Sequence, residues 1–246
     1  MNNTLASSPA HAQQPDPALG LTARLLARMF FRPAEVSENR AIAAGMHLIT
    51  LQGPALRELR WAAGDKLQVR ISPGLLTRTY TPILWDTEHG RTQLLAHALA
   101  VGPGSEWVRS ASPGQPVSLF GPRRSLALSD IDPMLGVLVG DETAIGLAAA
   151  WRPSHAVIEA VNQPAIQGLL DQLQLPATAM AAQPDGVHLD ALANAALGLA
   201  TPDTRFVLAG RARTVQHVMR ALRQHGVAPH RILTKAYWAE GKMGLD

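Results

Sequence analysis

The fold is decided by nine consecutive residues, Leu135-Gly136-Val137-Leu138-Val139-Gly140-Asp141-Glu142-Thr143. The run from Leu135 to Val139 is continuously apolar, as expected for a buried strand of a parallel sheet. Asp141-Glu142-Thr143 then opens a helical run that ends near Trp151, and an Asp is an ordinary residue at a helix start. The segment from Leu135 to Thr143 marks a change in the periodicity of the apolar residues. Short strands precede it, and strands alternating with helices follow it.

Downstream of this step the chain alternates regularly. Strands are predicted at 156–161, 205–209 and 231–237, and helices at 165–172, 189–199 and 211–225, the last closed by Gly226. Such alternation implies an α/β domain with a parallel sheet. We predict that this domain spans residues 130–246, with the boundary near 129–133.

Upstream, the pattern is one of strands and turns. Strands are predicted at 46–51, 66–71, 78–85, 92–100 and 117–120, with turns at 72–74, 88–90 and 112–114. Short strands at this spacing predict a small antiparallel β-barrel over residues 21–129. Residues 1–20 are rich in Ala, Ser, Gln and Pro, which predicts a disordered tail.

Composition excludes several classes of protein. The chain has 246 residues, of which 47% are hydrophobic and 17% charged, so it can form a full core in at most two domains. The absence of cysteine excludes disulfides, thiolate metal sites and Cys-ligated iron–sulfur clusters, and we predict no metal site. The net charge of +3 comes mostly from Arg without a dense basic cluster, which makes nucleic-acid binding a poor prediction. No secretion signal or apolar stretch of membrane-spanning length is visible, so we expect a cytoplasmic protein that does not insert into membranes.

Two short motifs suggest that a flavin binds to the first domain. Arg78-Thr79-Tyr80-Thr81 ends a predicted strand, and Gly102-Pro103-Gly104-Ser105 opens a short predicted helix about twenty residues later. A guanidinium can pair with a pyrophosphate, a Tyr ring can pack on an isoalloxazine, and a Thr hydroxyl can hydrogen-bond a ring nitrogen. Backbone N–H groups at a glycine-rich helix start suit a phosphate. Alone, the first motif also fits an ordinary antiparallel strand.

These motifs resemble those of the siderophore-interacting protein family of flavin reductases, within the ferredoxin-reductase-like superfamily. The resemblance covers roughly residues 25–245 and is carried by Arg78-Thr79-Tyr80-Thr81, His97 with Gly102-Pro103-x-Ser105-x-Trp107, Pro113-Gly114-Gln115-Pro116-Val117, Gly121-Pro122-Arg123, Gly140-Asp141-Glu142-Thr143-Ala144, Ala209-Gly210 and Tyr237-Trp238-x-x-Gly241. It implies a β-barrel that binds FAD, followed by an α/β domain that binds NAD(P)H.

The resemblance also implies residue roles. Arg78 would contact the FAD phosphates, Tyr80 the ring face, and Thr81 the reactive N5 region, with Thr143 near the incoming nicotinamide; Thr81 and Thr143 are the predicted catalytic residues. The predicted cofactor-binding residues are Arg78, Thr79, Tyr80, Thr81, His97, Ala98, Gly102, Pro103, Gly104, Ser105, Trp107, Asp141, Thr143 and Gly210. Several have structural alternatives: Tyr80 as a half-buried strand residue, His97 as a core histidine, and Trp107 as packing for the short helix.

The chain departs from the family pattern at several positions. Ala98 replaces a Gly, Pro82-Ile83-Leu84 follows the first motif where an Arg is common, and Ala239 replaces a basic residue. Arg211 stands where the family has Glu, and its extra positive charge slightly favours NADPH over NADH. No Gly-x-Gly-x-x-Gly fingerprint is present, which disfavours permanently bound NAD.

The expected activity is reduction of a ferric siderophore by NAD(P)H through FAD, releasing iron as Fe²⁺. Predicted substrate-binding residues are the basic side chains Arg123, Arg124, Lys235 and Lys242, each of which could also be a solvated charge. Two alternatives remain open: a flavin reductase of the same fold with another acceptor, and a non-catalytic flavin- or siderophore-binding module.

Overall fold

Two sheets organise the part of the chain that the computed structural model describes, residues 30–72, 76–98 and 101–241. The first sheet has seven antiparallel strands in the order β4-β3-β7-β1-β2-β6-β5. Its strands are β1 (Arg32–Ala43), β2 (Met46–Gln52), β3 (Asp65–Arg70), β4 (Thr77–Tyr80), β5 (Pro82–Asp86), β6 (Arg91–His97) and β7 (Pro116–Arg124). Helix α1 (Pro103–Ser110) lies between β6 and β7 in the chain.

The first sheet curls toward a barrel because of how its edges are connected. Strands β4 and β5 are the two edges of the sheet, yet only Thr81 separates them in the chain. The sheet must therefore bend until its edges meet. The prediction of one strand over 78–85 was wrong at this point: the ladder breaks at Thr81 and Pro82, and proline has no N–H to donate.

The second sheet is parallel, with the order β10-β9-β8-β11-β12. Its strands are β8 (Gly136–Asp141), β9 (His155–Ala160), β10 (Ala177–Ala181), β11 (Arg205–Arg211) and β12 (Ile232–Trp238). The helices are α2 (Ile145–Trp151), α3 (Gln163–Gln172), α4 (Leu189–Gly198) and α5 (Ala212–Gln224). Strand order reverses between β8 and β11, and ligands of open α/β sheets bind at the carboxyl ends of strands flanking such a reversal.

Apolar packing joins the two sheets. One core cluster combines Met46 and Leu95 of the first sheet with Leu138 of β8 and Ile145 and Leu147 of α2. A second cluster fills the concave side of the first sheet, and a third lies under α4 and α5. Helix α2 is thus sandwiched between the sheets, which brings the carboxyl end of β8 close to the β4–β5 junction.

The expected fold class, an antiparallel β domain followed by a parallel α/β domain, is confirmed. Two strands escaped the sequence analysis: β1, whose run is interrupted by Pro33 and several charges, and the alanine-rich β10. The domain limits remain a prediction, and residues 1–20 lie outside the described residues. Among the residues described, no helix is long and apolar enough to cross a membrane.

Candidate functional site

The two predicted phosphate-binding elements lie side by side. Arg78 stands opposite Val69 in the β3–β4 pair, so its side chain shares the face of that buried residue. A Cβ atom on Gly104 would lie only 3.1 Å from Nε of Arg78. The missing side chain at position 104 therefore lets the arginine lie against the first turn of α1, where it also donates to the Thr77 carbonyl at 2.8 Å.

The start of α1 is open to an anion. Gly102 precedes the helix with φ of 142°, and the space around its Cβ position is empty to 4 Å. Among the described residues no capping side chain bonds the first turn, which leaves its backbone N–H groups open to an anion. A guanidinium beside uncapped helical N–H groups fits the diphosphate of FAD.

Tyr80 is held by an aromatic partner. Its ring centroid lies 5.6 Å from that of Trp107, with an angle of 40° between the rings. Trp107 is only 4% exposed, so it packs beneath Tyr80, as the structural alternative proposed, and presents little surface to a ligand. Burial raises the pKa of the Tyr80 phenol above its usual value, which keeps the hydroxyl protonated.

A polar network that the sequence analysis missed fixes α1 from behind. The Asn39 side-chain amide donates to the carbonyls of Val108 and Ala111, both at 2.8 Å, and its oxygen contacts His47 Nδ1 at 2.9 Å. Arg109 donates to the Ala98 carbonyl at 2.5 Å, anchoring the segment that leads into the helix. The two carbonyls that accept from Asn39 are 69 and 72 residues away from it in the chain, and no local pattern reveals these bonds.

The predicted catalytic Thr81 lies at the contact between the sheets. Its side chain shares a hydrogen bond with Tyr237 of β12. A Cβ atom on Gly146 of α2 would meet the Thr81 carbonyl oxygen at 3.4 Å, so helix and junction touch. Burial raises the pKa of Tyr237 to about 12, so this phenol is neutral and able to donate.

Asp141, Thr143 and Gly210 meet where the strand order of the parallel sheet reverses. The Thr143 hydroxyl donates to Asp141 Oδ1 at 2.5 Å, and the Trp238 indole donates to Oδ2 at 2.6 Å. A Cβ atom on Gly210, whose φ is 106°, would lie 2.0 Å from Asp141 Oδ1. Burial raises the pKa of Asp141 to about 6, although both hydrogen bonds favour the carboxylate.

His97 of the first sheet faces Glu142 of the second. Their Nε2 and Oε2 atoms are 3.7 Å apart, and 17% of the His97 side chain and 7% of the Glu142 side chain are exposed. His97 Nε2 is buried without a hydrogen-bond partner. Burial lowers the pKa of His97 and raises that of Glu142 to about 7, with Asp141 and Glu159 adding to the second shift.

Arg211 is paired with two carboxylates. It donates to Glu159 Oε1 at 2.9 Å and to Glu240 by a second hydrogen bond, and its guanidinium lies 5.7 Å from the Trp238 ring centroid. Glu240 follows Ala239, the position where the family prefers a positive charge. Two departures from the family pattern, one at Arg211 and one at positions 239–240, are therefore joined by the ion pair between Arg211 and Glu240. The positive charge of Arg211 is therefore compensated by carboxylates of the protein itself.

Other predicted residues lie on the opposite face of the first sheet. Thr79 pairs with Gln68, and Gln68 pairs with Phe120, so these three side chains point away from Arg78 and Tyr80. Arg123 shares that outer face, because its guanidinium lies 4.3 Å from the Phe120 centroid and donates to Gln68 at 2.8 Å. The structure therefore does not bring Thr79 or Arg123 to the other site residues.

The other predicted substrate-binding residues lie in different parts of the molecule. Arg124 is an exposed residue at the end of β7, opposite Asp65 of β3. Lys235 pairs with Ala209 and shares the face of Tyr237, which is the face turned toward the first sheet. Among the predicted substrate residues that the structure describes, Lys235 is therefore the one on the side of the Thr81 junction. Lys242 lies outside the described residues.

Comparisons with known proteins agree with this architecture. Residues 69–126, which include all of β4, β5, β6, α1 and β7, match the family model of the siderophore-interacting FAD-binding domain. The resemblance inferred from the motifs is confirmed for this segment. No curated protein matches the chain.

Solved structures share the fold at low sequence identity. The siderophore-interacting protein SipS from Aeromonas hydrophila is 21% identical, with a TM-score of 0.70 over 87% of this chain and 93% of that one. A siderophore utilization protein from T. fusca is 22% identical, with a TM-score of 0.70 over 88% and 95%. Phthalate dioxygenase reductase, described as transferring electrons from pyridine nucleotides to [2Fe-2S], is 16% identical, with a TM-score of 0.68 over 86% and 70%.

Proposed function

We propose that this chain, which carries a siderophore-interacting FAD-binding domain at residues 69–126, is an FAD-dependent oxidoreductase that uses NAD(P)H to reduce ferric siderophores. One observation carries the proposal: Arg78 lies across Gly104 at the uncapped start of α1, next to Tyr80. A strand arginine, helical N–H groups and an aromatic ring are thereby collected at one place. Together they fit the diphosphate and the ring of FAD.

Each residue has a defined task in this proposal. Arg78 and the N–H groups of the first turn of α1 bind the diphosphate, while Trp107 supports Tyr80 against the ring. Thr81, held by its hydrogen bond to Tyr237, orients its hydroxyl toward the reacting edge. Held by these residues, FAD would supply a hydride acceptor for the nicotinamide and a donor of single electrons.

The nicotinamide site is proposed at the carboxyl ends of β8 and β11, around Asp141, Thr143 and Gly210. Thr143 is fixed by its bond to Asp141, and the missing side chain of Gly210 admits the Asp141 carboxylate to the end of β11. The contact between Trp238 and Asp141 covers this position, so the end of β12 has to move aside for the nicotinamide. Because Arg211 is already paired, we expect NADH to serve at least as well as NADPH.

The substrate side of the proposal rests on Lys235, which shares the face of Tyr237 near the junction. Its ammonium would attract an anionic iron chelate to the edge where Thr81 lies. Siderophores hold Fe²⁺ much more weakly than Fe³⁺, so reduction releases the metal. The iron arrives as part of the substrate.

A second candidate has support of its own. Arg123 faces away from Tyr80, and Glu240 adds a negative charge where the family prefers a positive one. Both observations favour a neutral or cationic chelate, or another electron acceptor, over an anionic siderophore. The fold and the cofactor would be the same.

The test begins with the purified protein and its extracted flavin. We expect FAD, bleaching of its absorbance by NAD(P)H under anaerobic conditions, and reoxidation by ferric siderophores with Fe²⁺ trapped by a chelator. FMN alone, or no flavin after reconstitution, would contradict the cofactor. Bleaching by dithionite but not by nicotinamides would favour a non-catalytic module, and reoxidation only by neutral or cationic acceptors would favour the second candidate.

A further inference from the structure

Asp141 carries a buried carboxylate whose two oxygens accept hydrogen bonds from different parts of the chain. Its Oδ1 atom accepts from the Thr143 hydroxyl at 2.5 Å, two residues further on. Its Oδ2 atom accepts from the Trp238 indole at 2.6 Å, and Trp238 is 97 residues away, at the end of the edge strand β12. The bond at Oδ2 is therefore the one that a ligand can replace without disturbing the turn after β8.

Trp238 lies on the solvent side of this carboxylate. Trp238 is 37% exposed, whereas Asp141 is 3% exposed. Two residues after Trp238, the exposed Glu240 forms its ion pair with Arg211 at the end of β11, and the Arg211 guanidinium lies 5.7 Å from the Trp238 ring centroid. The end of β12 is thus held over the carboxyl ends of β8 and β11 by polar contacts of exposed residues. These contacts can break without opening the apolar core.

The chemistry at Oδ2 suits the carboxamide group of a nicotinamide. An ionised carboxylate only accepts hydrogen bonds, and a carboxamide brings two N–H donors on a flat ring. The Trp238 indole likewise presents an N–H in the plane of a flat ring, so it occupies Oδ2 as a carboxamide would. Asp141 ends β8 where the strand order reverses, which is where ligands of open α/β sheets bind. Burial raises the pKa of Asp141 to about 6, so the group is ionised at pH 8.

We propose that Asp141 recognises the carboxamide of the nicotinamide through an N–H···Oδ2 hydrogen bond that replaces the one from Trp238, an inference that rests on the proposed function. Without nucleotide, Trp238 satisfies the same acceptor. Binding is then an exchange of one N–H donor for another, and the buried carboxylate is never left without a partner. A nucleotide whose ring lacks an N–H donor breaks the Trp238 bond and offers nothing in return, so the site selects against it.

The first test measures binding to the FAD-loaded protein at pH 8. The ligands are NAD⁺ and its 3-acetylpyridine analogue, which keeps the ring carbonyl but has a methyl group in place of the NH₂ group. Neither ligand carries a transferable hydride, so calorimetry gives the two Kd values without reduction of the flavin. We expect the analogue to bind about 10- to 150-fold more weakly, the factor typical of a hydrogen bond to a charged group. Equal Kd values would overturn the proposal.

The second test connects this selectivity to the two residues. In Asp141→Ala neither ligand meets the carboxylate, so the ratio of the two Kd values should fall to about one. Trp238→Phe keeps an aromatic ring over the site but removes the N–H that competes for Oδ2. NAD⁺ should then bind about tenfold more tightly than to the wild type. A wild-type ratio in Asp141→Ala, or an unchanged Kd for NAD⁺ in Trp238→Phe, would overturn the proposal.

A matched control is Asp190→Ala, which removes an exposed carboxylate of α4 that lies 2.8 Å from His217 Nε2. Both ligands should bind to it as they bind to the wild type. If Asp141→Ala does not fold, Trp238→Phe carries the second test. An FAD-loaded protein that NADH does not bleach would overturn the proposed function together with this inference. A protein that NADH does bleach, but that binds the two ligands equally, would overturn the recognition by Asp141 alone.

Discussion

At the scale of single residues, two glycines decide which charged groups can meet. Gly104 admits the Arg78 side chain to the start of α1, and Gly210 admits the Asp141 carboxylate to the end of β11. At Gly210 a Cβ atom would overlap the Asp141 carboxylate, and at Gly104 it would crowd the Arg78 guanidinium at 3.1 Å. Both positions are therefore tests of the candidate site that require no assumption about the substrate.

Replacing Arg78 by alanine should weaken FAD binding. Loss of a charged hydrogen-bonding partner costs roughly 1.5–3 kcal/mol, which corresponds to an increase in Kd of about 10- to 150-fold. Fluorescence titration of the apoprotein with FAD measures this Kd. Arg91→Ala, which removes an exposed strand arginine of β6, is the control and should bind FAD as the wild type does. Equal affinities of the two variants would remove Arg78 from the cofactor site.

Replacing Gly210 by alanine should destabilise the α/β half. The new Cβ would overlap Asp141 Oδ1, and the φ of 106° is strained for any residue with a side chain. We expect the free energy of unfolding to fall by at least about 2 kcal/mol. Gly168→Ala in the middle of α3, where the Cβ position is open, should instead stabilise by about 0.5–1 kcal/mol. Urea denaturation of both variants measures these changes in unfolding free energy. An unchanged unfolding free energy in Gly210→Ala would contradict the close approach of Asp141 Oδ1 to Gly210.

At the scale of elements, α1 is a short helix held at both ends by distant groups. Arg78 lies against its first turn, and Asn39 of β1 binds the carbonyls of its last turn. An isolated helix of eight residues is marginal in water, so these contacts determine its position. The orientation of the phosphate-facing N–H groups therefore depends on β1, a strand that never touches the phosphate site itself.

Replacing Asn39 by alanine should lower both stability and FAD affinity. Two carbonyls at the end of α1 lose their donor, with an expected loss of about 1–3 kcal/mol in unfolding free energy. The Kd for FAD should rise because the helix start is less well fixed. Gln52→Ala, which removes an exposed hydrogen bond to Glu35, is the control. A destabilised Asn39→Ala protein with unaltered FAD affinity would show that the last turn does not position the first.

At the scale of the whole molecule, the two sheets are joined by apolar packing around α2 and by polar contacts at its start. Thr81 bonds Tyr237, His97 faces Glu142, and Asp141 bonds Trp238 nearby. Three buried carboxylates, Asp141, Glu142 and Glu159, are collected at this end of the parallel sheet. Their charge makes the contact between the sheets sensitive to pH.

The stability of the protein should decrease as pH rises through the range in which Glu142 ionises. Its pKa is raised from 4.5 to about 7 in the folded state, so the folded chain holds more protons than the unfolded chain between these values. The free energy of unfolding then falls with increasing pH across that window, by on the order of 2–3 kcal/mol for this group.

The measurement is the difference in unfolding free energy between the wild type and Glu142→Gln, from pH 4 to pH 8. The glutamine cannot ionise, so the variant should lose this part of the pH dependence and gain stability relative to the wild type at high pH. Glu88→Gln, which replaces an exposed carboxylate in the turn before β6, should follow the wild type. Parallel curves for the wild type and Glu142→Gln would contradict the raised pKa of Glu142.

Local sequence was sufficient for most of the elements and for part of the site. Apolar runs and the Asp-Glu-Thr step identified β8 and the start of the α/β half, because burial on both faces imposes a continuous apolar pattern. The Arg78 and Gly102 motifs identified the cofactor segment, because a phosphate requires a cation and unhindered N–H groups. The strands β1 and β10 were missed since their residues have weak strand preferences and are held by neighbouring strands.

Only the tertiary structure determined which side of a strand each residue uses and what it meets there. The family resemblance placed Thr79 and Arg123 with the site, but strand pairing turns both toward the outer face. Likewise, Arg211 read as a free positive charge until Glu159 and Glu240, separated from it by 52 and 29 residues, were found to bind it. Charge compensation and packing arise from contacts between distant segments, so they depend on how the chain folds back on itself, and local pattern carries no record of them.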